Sequence, residues 1–440
     1  MSPSPRLRRR NAARPDDITE ISDRYGGRDN QGWALRAALL EDAGAVEEHA
    51  SAWQTWLSRH ELDTRWLPRI SVDDESRGSL VTLRPGYEFS GSPPRVYGSV
   101  EDPDRDRAIR LSSYGERYWR VRRGLVIGGW DVVETPAGAC WPALTPETGD
   151  VLVSNALDEK LLGWTPSSFI VRHDPSPPTM RLQSAITLVG EHSTKFGHWM
   201  LDYVTRALSA REIPQSTPVL IDAGMPENCR WWLDKILPGR AIIPVQPGHI
   251  VRAKTLYVAL PRTFCPTGWH EPIPMTRHMW WSDGPAAAQI QDIVTRDRPA
   301  RLRHRRLWFV RRSTDRSLVN EADLLDGVAS HGFEAIRLES LGMDETQALL
   351  DEAAIVVCPI GAVLYNLVAT RPGLRVLVLI GSQMHHYRGS VCAFLESLGH
   401  DYALVGGHEV GPAPRTPFEA KQSSYRIDDA LLREAIADLE

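Results

Sequence analysis

Three side chains that could do acid–base chemistry recur at four-residue intervals in FGHWMLDYVTRAL, residues 196–208: His198, Asp202 and Arg206. On a helix, residues at this spacing lie along one face, so an imidazole, a carboxylate and a guanidinium could act together. A carboxylate beside a histidine fixes its tautomer and makes it more basic, as deprotonation of a hydroxyl group requires. The arginine could instead neutralise the carboxylate or bind a phosphate.

The same column also fits the polar side of a surface helix, because Thr205 and Ser209 continue it and every amphipathic helix has such a side. Glu191 and His192 stand just before the helix and could be its loop partners. From the residues alone, both interpretations stay open.

A second group of candidates lies in residues 301–325, where a predicted strand ends in arginines. The guanidinium groups belong to Arg311, Arg312 and Arg316, and Asn320 could cap the helix that follows. Arginine pairs with phosphate oxygens in a bidentate manner, so the turn could bind a diphosphate. The alternative is a solvated basic turn.

A third candidate is the strand-to-helix junction in IVVCPIGAVLYNLVATRPG, residues 355–373. A buried strand runs into Gly361 and then directly into a helix, so the first helical N–H groups, of Ala362 and Val363, have no intrahelical partner and attract anions. The alternative is a tight turn in which the glycine allows close packing. His386, in MHHYRG, follows another strand and should lie on the same edge of the sheet.

Alternating strand and helix patterns position these candidates. They begin near residue 184 and, after a proline-rich crossing at 260–274, resume near residue 285, which predicts an α/β fold with parallel sheets and ligands at the carboxyl ends of the strands. Before them, helical spacing at 32–59 and short β-like runs between 80 and 172 predict a helical and β-rich N-terminal extension. The predicted units are a basic tail and helical extension (1–75), an N-terminal α/β domain with a β-rich start (76–275), a C-terminal Rossmann-like domain (276–418) and a C-terminal packing helix (419–440).

Composition excludes several classes of protein. The 440 residues carry a net charge of −5, which argues against a protein that coats nucleic acid. No apolar run reaches about 18 residues, the length that a membrane-spanning helix needs, so we expect no membrane span. Five scattered cysteines without a C-x-x-C pair suggest neither a disulfide framework nor a zinc ribbon, so we expect a cytoplasmic protein. We expect no bound metal, because no carboxylate pair has metal-ligand spacing with the histidines. The basic N-terminal tip could still touch anionic lipid headgroups at the membrane periphery.

Taken in order, these segments resemble the family 61 glycosyltransferases, the DUF563 group that includes plant xylan-decorating enzymes, animal O-linked N-acetylglucosaminyltransferases and bacterial polysaccharide enzymes. The family's G-H-W-x-x-D helix start and later arginine are matched by Gly197, His198, Trp199, Asp202 and Arg206. Its arginine-rich turn, helical glutamine and final glycine turn are matched by Arg311, Arg312, Arg316, Asn320, Glu321, Gln347, Pro359, Gly361, Ala362, Leu364 and Asn366. The resemblance covers roughly residues 185–405.

The resemblance implies a GT-B fold, in which two Rossmann-like, doubly wound domains face each other across a cleft. It also implies metal-independent transfer, with inversion at the anomeric carbon, from a nucleotide-sugar to a hydroxyl group of a glycan or other acceptor. A UDP-linked sugar is the expected donor, as a substrate, and no separate cofactor is expected. We expect His198 to be the base with Asp202 as its orienting partner, or Asp202 or Glu191 to act directly. The expected donor-binding residues are Arg206, Arg311, Arg312, Arg316, Asn320, Gln347, Gly361, Ala362, Asn366 and His386.

One position departs from the family pattern: Ile360 stands where the family has a histidine before Gly-Ala. If that histidine contacts the donor in relatives, this protein binds its donor differently, uses another donor or has lost activity. Two alternative functions follow, namely a non-catalytic protein that binds glycans or partner proteins, and a GT-B-like transferase of a non-sugar group.

Overall fold

The fold is described from a computed structural model of the chain. The structure describes residues 38–39, 42, 44–59, 64–91, 93–98, 109–142, 161–172, 178–263, 283–311, 316–412 and 422–440. The mixed α/β fold expected from the sequence is confirmed, since several parallel and mixed sheets are layered with helices.

The first large sheet has eight strands and contains the parallel strands β11 (Met180–Thr187), β12 (Val219–Asp222), β13 (Ile242–Val245) and β14 (Ile250–Ala259). Their spatial order is β13-β12-β11-β14, which places β11 and β14 on either side of a reversal of strand order. Antiparallel strands continue the sheet: β2 (Gly78–Arg84), β6 (Glu116–Ile127), β7 (Val133–Thr135) and β8 (Gly138–Cys140). The expected parallel layering thus has an antiparallel, β-rich side built from the residues before 142.

The second large sheet contains five parallel strands, in the order β16-β15-β17-β18-β19. They are β15 (Arg305–Phe309), β16 (Phe333–Ile336), β17 (Ala353–Pro359), β18 (Arg375–Gly381) and β19 (Asp401–Val410). Strands β17 and β18 are nearly continuous apolar runs, as expected when both faces of a strand are buried. Strand order reverses between β15 and β17, so a ligand-binding crevice is expected beyond the carboxyl ends of these two strands.

Two further strands extend the second sheet. The first is β4 (Arg95–Tyr97), which runs parallel to β19, and the second is β20 (Ser424–Arg426), which pairs with β19 in the antiparallel sense. Two small sheets lie outside the large ones. The first consists of β1 (Thr64–Pro68), β9 (Leu161–Trp164) and β10 (Ser168–Arg172), and the second consists of β3 (Tyr87–Gly91) and β5 (Ile109–Ser113). A strand from the early, β-rich part of the chain therefore completes the late sheet.

Helices cover both large sheets. The longer ones are α1 (Ala50–Arg59), α2 (Glu227–Ile236), α3 (Gly284–Thr295), α4 (Glu321–Gly327), α5 (Met343–Asp351), α6 (Arg388–Ser397) and α7 (Asp429–Leu439). Helix α3 packs against both α2 and α6, and apolar side chains of the two sheet regions form one continuous buried cluster around it. Helix α7 is capped by the preceding residue, Asp428, whose carboxylate accepts from the N–H of Ala430 at 2.8 Å, and it packs on the second sheet. In the described part of the chain, no helix is long and apolar enough to cross a membrane.

Candidate active site

The helix that carries His198 is buried, unlike a surface helix. This helix, which we call the His198 helix, runs over residues 196–207 as an α turn (Phe196–His198), a π-helical turn (Trp199–Tyr203) and a second α turn (Val204–Ala207). Asp202 and Arg206 are each only 7% exposed, and Thr205 and Ser209 are also buried. The interpretation of the column as a solvated polar stripe is therefore wrong. The π turn inserts one extra residue in the helical repeat, a feature that often marks functional sites.

The carboxylate of Asp202 is paired with Arg206. The Nε of Arg206 donates to Oδ1 of Asp202 at 2.8 Å, and its Nη2 donates to Oδ2, so both carboxylate oxygens are occupied. The guanidinium also lies over the ring of Tyr203, 4.6 Å from its centroid. Burial raises the pKa of Asp202 and Arg206 opposes that shift. Burial also acts to lower the pKa of Arg206, but attraction to its acidic neighbours, Asp202 first among them, outweighs burial and raises that pKa. Asp202 therefore pairs with Arg206 rather than with His198, and Arg206 is engaged inside the protein.

His198 lies at the partly exposed start of this helix and has a second histidine as its neighbour. The rings of His198 and His192 meet edge to face with centroids 4.5 Å apart. His192 is buried, and its Nδ1 lies 3.2 Å from Nζ of Lys195 and 3.8 Å from a carboxylate oxygen of Glu191. The lysine ammonium can only donate, so it can hydrogen-bond to Nδ1 of His192 when that nitrogen carries no proton. Glu191, His192 and His198 thus form one group at the end of β11.

Two aspartates that the sequence analysis did not single out hold this group in place. Asp222, at the end of β12, accepts from the backbone N–H groups of Gly129 (2.6 Å) and Gly190 (2.9 Å) and from the hydroxyl of Ser193. Burial raises its pKa and these hydrogen bonds oppose the shift. Asp131 accepts from the backbone N–H of Glu191 at 3.3 Å and from the hydroxyl of Tyr203 at 3.0 Å.

The sequence offered one signal for these aspartates, since Asp222 directly follows the apolar residues of its strand. Their hydrogen bonds join residues that are distant along the chain, so sequence spacing could not have revealed the network.

In the second sheet, the turn at Gly361 lies against Arg311, the described residue at the start of the arginine-rich turn. Gly361 follows β17 with φ 147° and ψ −166°, a conformation that is essentially restricted to glycine. A Cβ placed on Gly361 would lie 3.7 Å from the guanidinium carbon of Arg311, which follows β15. The two predicted anion-binding segments therefore meet at the reversal of strand order. The helix after Gly361 is a 3₁₀-helix, Ala362–Ala369, and its first N–H groups still precede the first intrahelical bond.

The His198 helix contacts this turn across the two halves of the fold. A Cβ placed on Gly197 would lie 3.1 Å from the Cβ of Ala362, so the backbones approach closely. Beside this contact is a pocket of about 310 Å³ that brings His198, Arg316 and Gly361 together. Its wall also includes Gly197, Leu201, Ile360, Ala362, Leu364, Tyr365, Met384, Tyr387, Ser390, Val391 and Gln422. We call it the His198 pocket.

Arg316 reaches this pocket from an uncommon backbone conformation. Its φ is 54°, a left-handed value that few residues other than glycine adopt, and its backbone N–H donates to the carbonyl of Gln422 at 3.0 Å. Such strain persists where the surrounding structure enforces it and is common at binding sites. Ile360 is 5% exposed and presents an apolar side chain at the position where a histidine was expected from the resemblance.

Three predicted donor-binding side chains, those of Asn320, Gln347 and Asn366, are hydrogen-bonded within the protein. Asn320 occupies the position before α4 but does not cap it, because its amide donates to the carbonyl of Ile427 at 2.8 Å and accepts from the N–H of the same residue. The amide of Gln347 donates to the carbonyl of Val294 at 3.1 Å. Asn366 donates to the carbonyl of Val363 at 3.0 Å and is also buried. The amides of Asn320 and Gln347 thus connect distant segments of the chain, whereas that of Asn366 bonds within its own 3₁₀-helix.

The remaining predicted residues lie outside the described part. These are Arg312 and the side chain of His386. Within the described part of the chain, no group of three or more histidine, cysteine, aspartate or glutamate side chains could hold a metal ion.

Residues 196–377 match the family model named Glycosyltransferase 61. The matched segment begins with the His198 helix and includes the arginine turn, α5 and the Gly361 turn. This part of the chain belongs to glycosyltransferase family 61. The recognition made from the sequence is confirmed, and a glycosyltransferase requires both a sugar donor and an acceptor.

Comparison with curated proteins gives no match to this chain. Among solved structures, the metal-soaked Flv1 flavodiiron core from Synechocystis sp. PCC6803 is 10% identical, with 83% of this chain and 99% of that chain covered and a TM-score of 0.18. A similarity at that TM-score says nothing about the fold or function of this chain.

Proposed function

We propose that this glycosyltransferase transfers a sugar, with inversion and without a bound metal, from a UDP-sugar to a hydroxyl group of a glycan or other acceptor. The two large sheets are proposed to form a GT-B arrangement, with the donor on the second sheet and the base on the first. The single observation that carries the proposal is the meeting of Arg311, Gly361 and the His198 helix at the reversal of strand order in the second sheet.

Charge favours the diphosphate at this position. Arg311 and Arg316 supply guanidinium groups, which pair well with phosphate oxygens, and the free N–H groups after Gly361 add donors. As the bond to the sugar breaks, negative charge grows on the departing diphosphate, and fixed cations and N–H groups stabilise that charge without a metal. Gly361 lets the diphosphate approach the backbone, since a side chain there would point toward Arg311.

His198 is the proposed base because it lines the same pocket from the opposite half of the fold. Inverting transfer needs one group that accepts the proton of the acceptor hydroxyl as its oxygen attacks the anomeric carbon. The contact with His192, which is held by Lys195 and lies near Glu191, orients the His198 ring in place of the expected Asp202. Glu191 stays the alternative base.

A second candidate function is favoured by Ile360, whose apolar side chain lines the His198 pocket. A protein that kept the fold but lost transfer would bind glycans or partners and would not turn over any nucleotide-sugar. Activity measurements separate the two functions.

The test is hydrolysis of a panel of UDP-sugars in the presence of EDTA, followed by proton NMR of the released sugar. The proposal predicts slow hydrolysis of one donor, with a first-formed anomer opposite to that of the donor. His198→Ala should abolish it, whereas His249→Ala, an exposed histidine in another loop, should not. Retention of configuration, a requirement for added metal, or no hydrolysis of any donor would contradict the proposal.

A further inference from the structure

A second pocket lies next to the His198 pocket, on the other side of the contact between Gly197 and Ala362. Its volume is about 610 Å³, within the usual range for ligand sites. Phe196 and Ala362 line it, so it begins within two residues of His198. Ala362 is exposed and lines both pockets, so the two pockets are adjacent.

Both halves of the fold supply the walls of this pocket. Glu227, Asn228 and Trp231 come from α2, whereas Glu339 precedes α5 and Asp344 belongs to it. The indole N–H of Trp231 donates to Oδ1 of Asp344 at 2.8 Å and so connects the two halves. The remaining lining residues are Leu338, Leu341, Gly342, Met343, Glu345, Thr346, Val363 and Asn366. We call it the Trp231 pocket.

The charge of the Trp231 pocket is opposite to that of the His198 pocket. Four carboxylates line it, those of Glu227, Glu339, Asp344 and Glu345, and no lysine or arginine is among its described lining residues. Lys235 lies outside this lining, with its Nζ 5.0 Å from the ring centroid of Trp231. A diphosphate or a uronic acid would therefore meet like charges there, whereas sugar hydroxyls could donate to the carboxylates.

Two of these carboxylates are available to a ligand. Glu345 accepts from the backbone N–H of Gly342 at 3.0 Å, and Asp344 accepts from Trp231. Within the described part of the chain, Glu227 and Glu339 have neither a hydrogen bond nor an ion pair, and both are exposed at the rim. Carboxylates together with the apolar surface of an indole ring match a sugar, which presents hydroxyl groups and C–H faces.

We infer that the Trp231 pocket is the acceptor site and that it takes a glycan without acidic groups. The inference rests on the proposed function and adds to it the place and chemical class of the acceptor. The two neighbouring pockets thereby sort their ligands by charge, with the anionic donor beside the arginines and the neutral acceptor beside the carboxylates.

The test uses the full chain on a glycan array printed with neutral gluco- and xylo-oligosaccharides and with oligogalacturonates, with calorimetric titration of the strongest binder. UDP is titrated separately into each protein. Glu339→Lys, an exposed charge reversal, should weaken neutral-glycan binding about tenfold or more, since a charge-assisted hydrogen bond is lost. Trp231→Ala should weaken it as well. Glu75→Lys makes the same charge change on an exposed residue outside both pockets and should have no effect.

Loss of neutral-glycan binding in Glu339→Lys with unchanged UDP affinity supports the inference. Equal or stronger binding of oligogalacturonate to the unmodified protein, or unchanged glycan binding in both variants, overturns it. If UDP binds and no neutral glycan does, the acceptor assignment fails and the donor site stands. If Glu339→Lys changes UDP affinity as much as glycan affinity, the Trp231 pocket holds the nucleotide, and the donor assignment fails too.

Discussion

The buried pair of Asp202 and Arg206 gives the sharpest prediction about stability. Each residue is 7% exposed, and both carboxylate oxygens accept from the guanidinium. Removal of one partner leaves the other charge buried and unpaired, which typically destabilises a protein by about 3–5 kcal/mol. We expect Asp202→Leu and Arg206→Met each to lower the free energy of unfolding by about that amount.

The double variant should recover most of that loss, because apolar residues of similar size can replace a buried ion pair at little cost. Some loss should persist, since the double variant also removes the guanidinium from the face of Tyr203, a contact worth roughly 0.5–2 kcal/mol. The single-variant effects are thus far from additive, as expected of residues in contact.

Urea unfolding followed by circular dichroism measures these differences. Asp292 on α3 and Arg296, which directly follows α3, form an ion pair with the same four-residue spacing, but both are exposed. Asp292→Ala should therefore leave the midpoint almost unchanged and serves as the control. The double variant should also keep donor hydrolysis if Asp202 is structural. A wild-type midpoint for Asp202→Leu, or strictly additive losses in the double variant, would refute the account of a coupled buried pair.

Three further predictions follow from single positions. Gly361→Ala should weaken UDP binding and destabilise the protein by about 1–3 kcal/mol, because its φ of 147° suits only glycine, and calorimetry with thermal unfolding measures both effects. Gly197→Ala should lower turnover more than stability, because the new Cβ would lie 3.1 Å from that of Ala362 and push the His198 helix away, and equal losses in both would count against this explanation. Burial lowers the pKa of His400 to about 4, below the value of about 6.5 in the unfolded chain. Between these values the unfolded state binds more protons, so about 3 kcal/mol of stability present above pH 6.5 should be lost as the pH falls toward 4. The loss should be smaller in His400→Gln and unchanged in His249→Ala, and identical pH profiles for all three proteins would contradict it.

The parallel strands were predictable because their apolar runs carry the pattern of burial on both faces. β12, β15 and β17 follow the runs TPVLID, RLWFV and AIVVCP closely. The sequence also predicted that Arg311 and Gly361 lie on one edge, since both follow parallel strands, and their proximity agrees with that.

Side-chain partners were less predictable. The spacing predicted that Asp202 lies between His198 and Arg206 on one helix face. It could not predict which of the two neighbours the carboxylate contacts, because the π turn changes the helical repeat and packing decides the pairing. In the structure, Asp202 accepts from Arg206. The amides of Asn320 and Gln347 bond to Ile427 and Val294, which lie 107 and 53 residues away along the chain. A local motif carries no information about such distant partners.

The most direct test of the central claim, a UDP-sugar site at the Gly361 turn, is calorimetric titration with UDP and UDP-sugars in the presence of EDTA, for the unmodified chain and Arg311→Ala. The account predicts saturable, chelator-insensitive binding that one UDP-sugar dominates. Loss of a charged phosphate contact should weaken binding in Arg311→Ala by about 1.5–3 kcal/mol. Arg77→Ala, which removes a half-exposed arginine from a distant loop, should bind as the unmodified chain does. Equal UDP affinity in the chain with and without Arg311, or no binding at all, would contradict the claim.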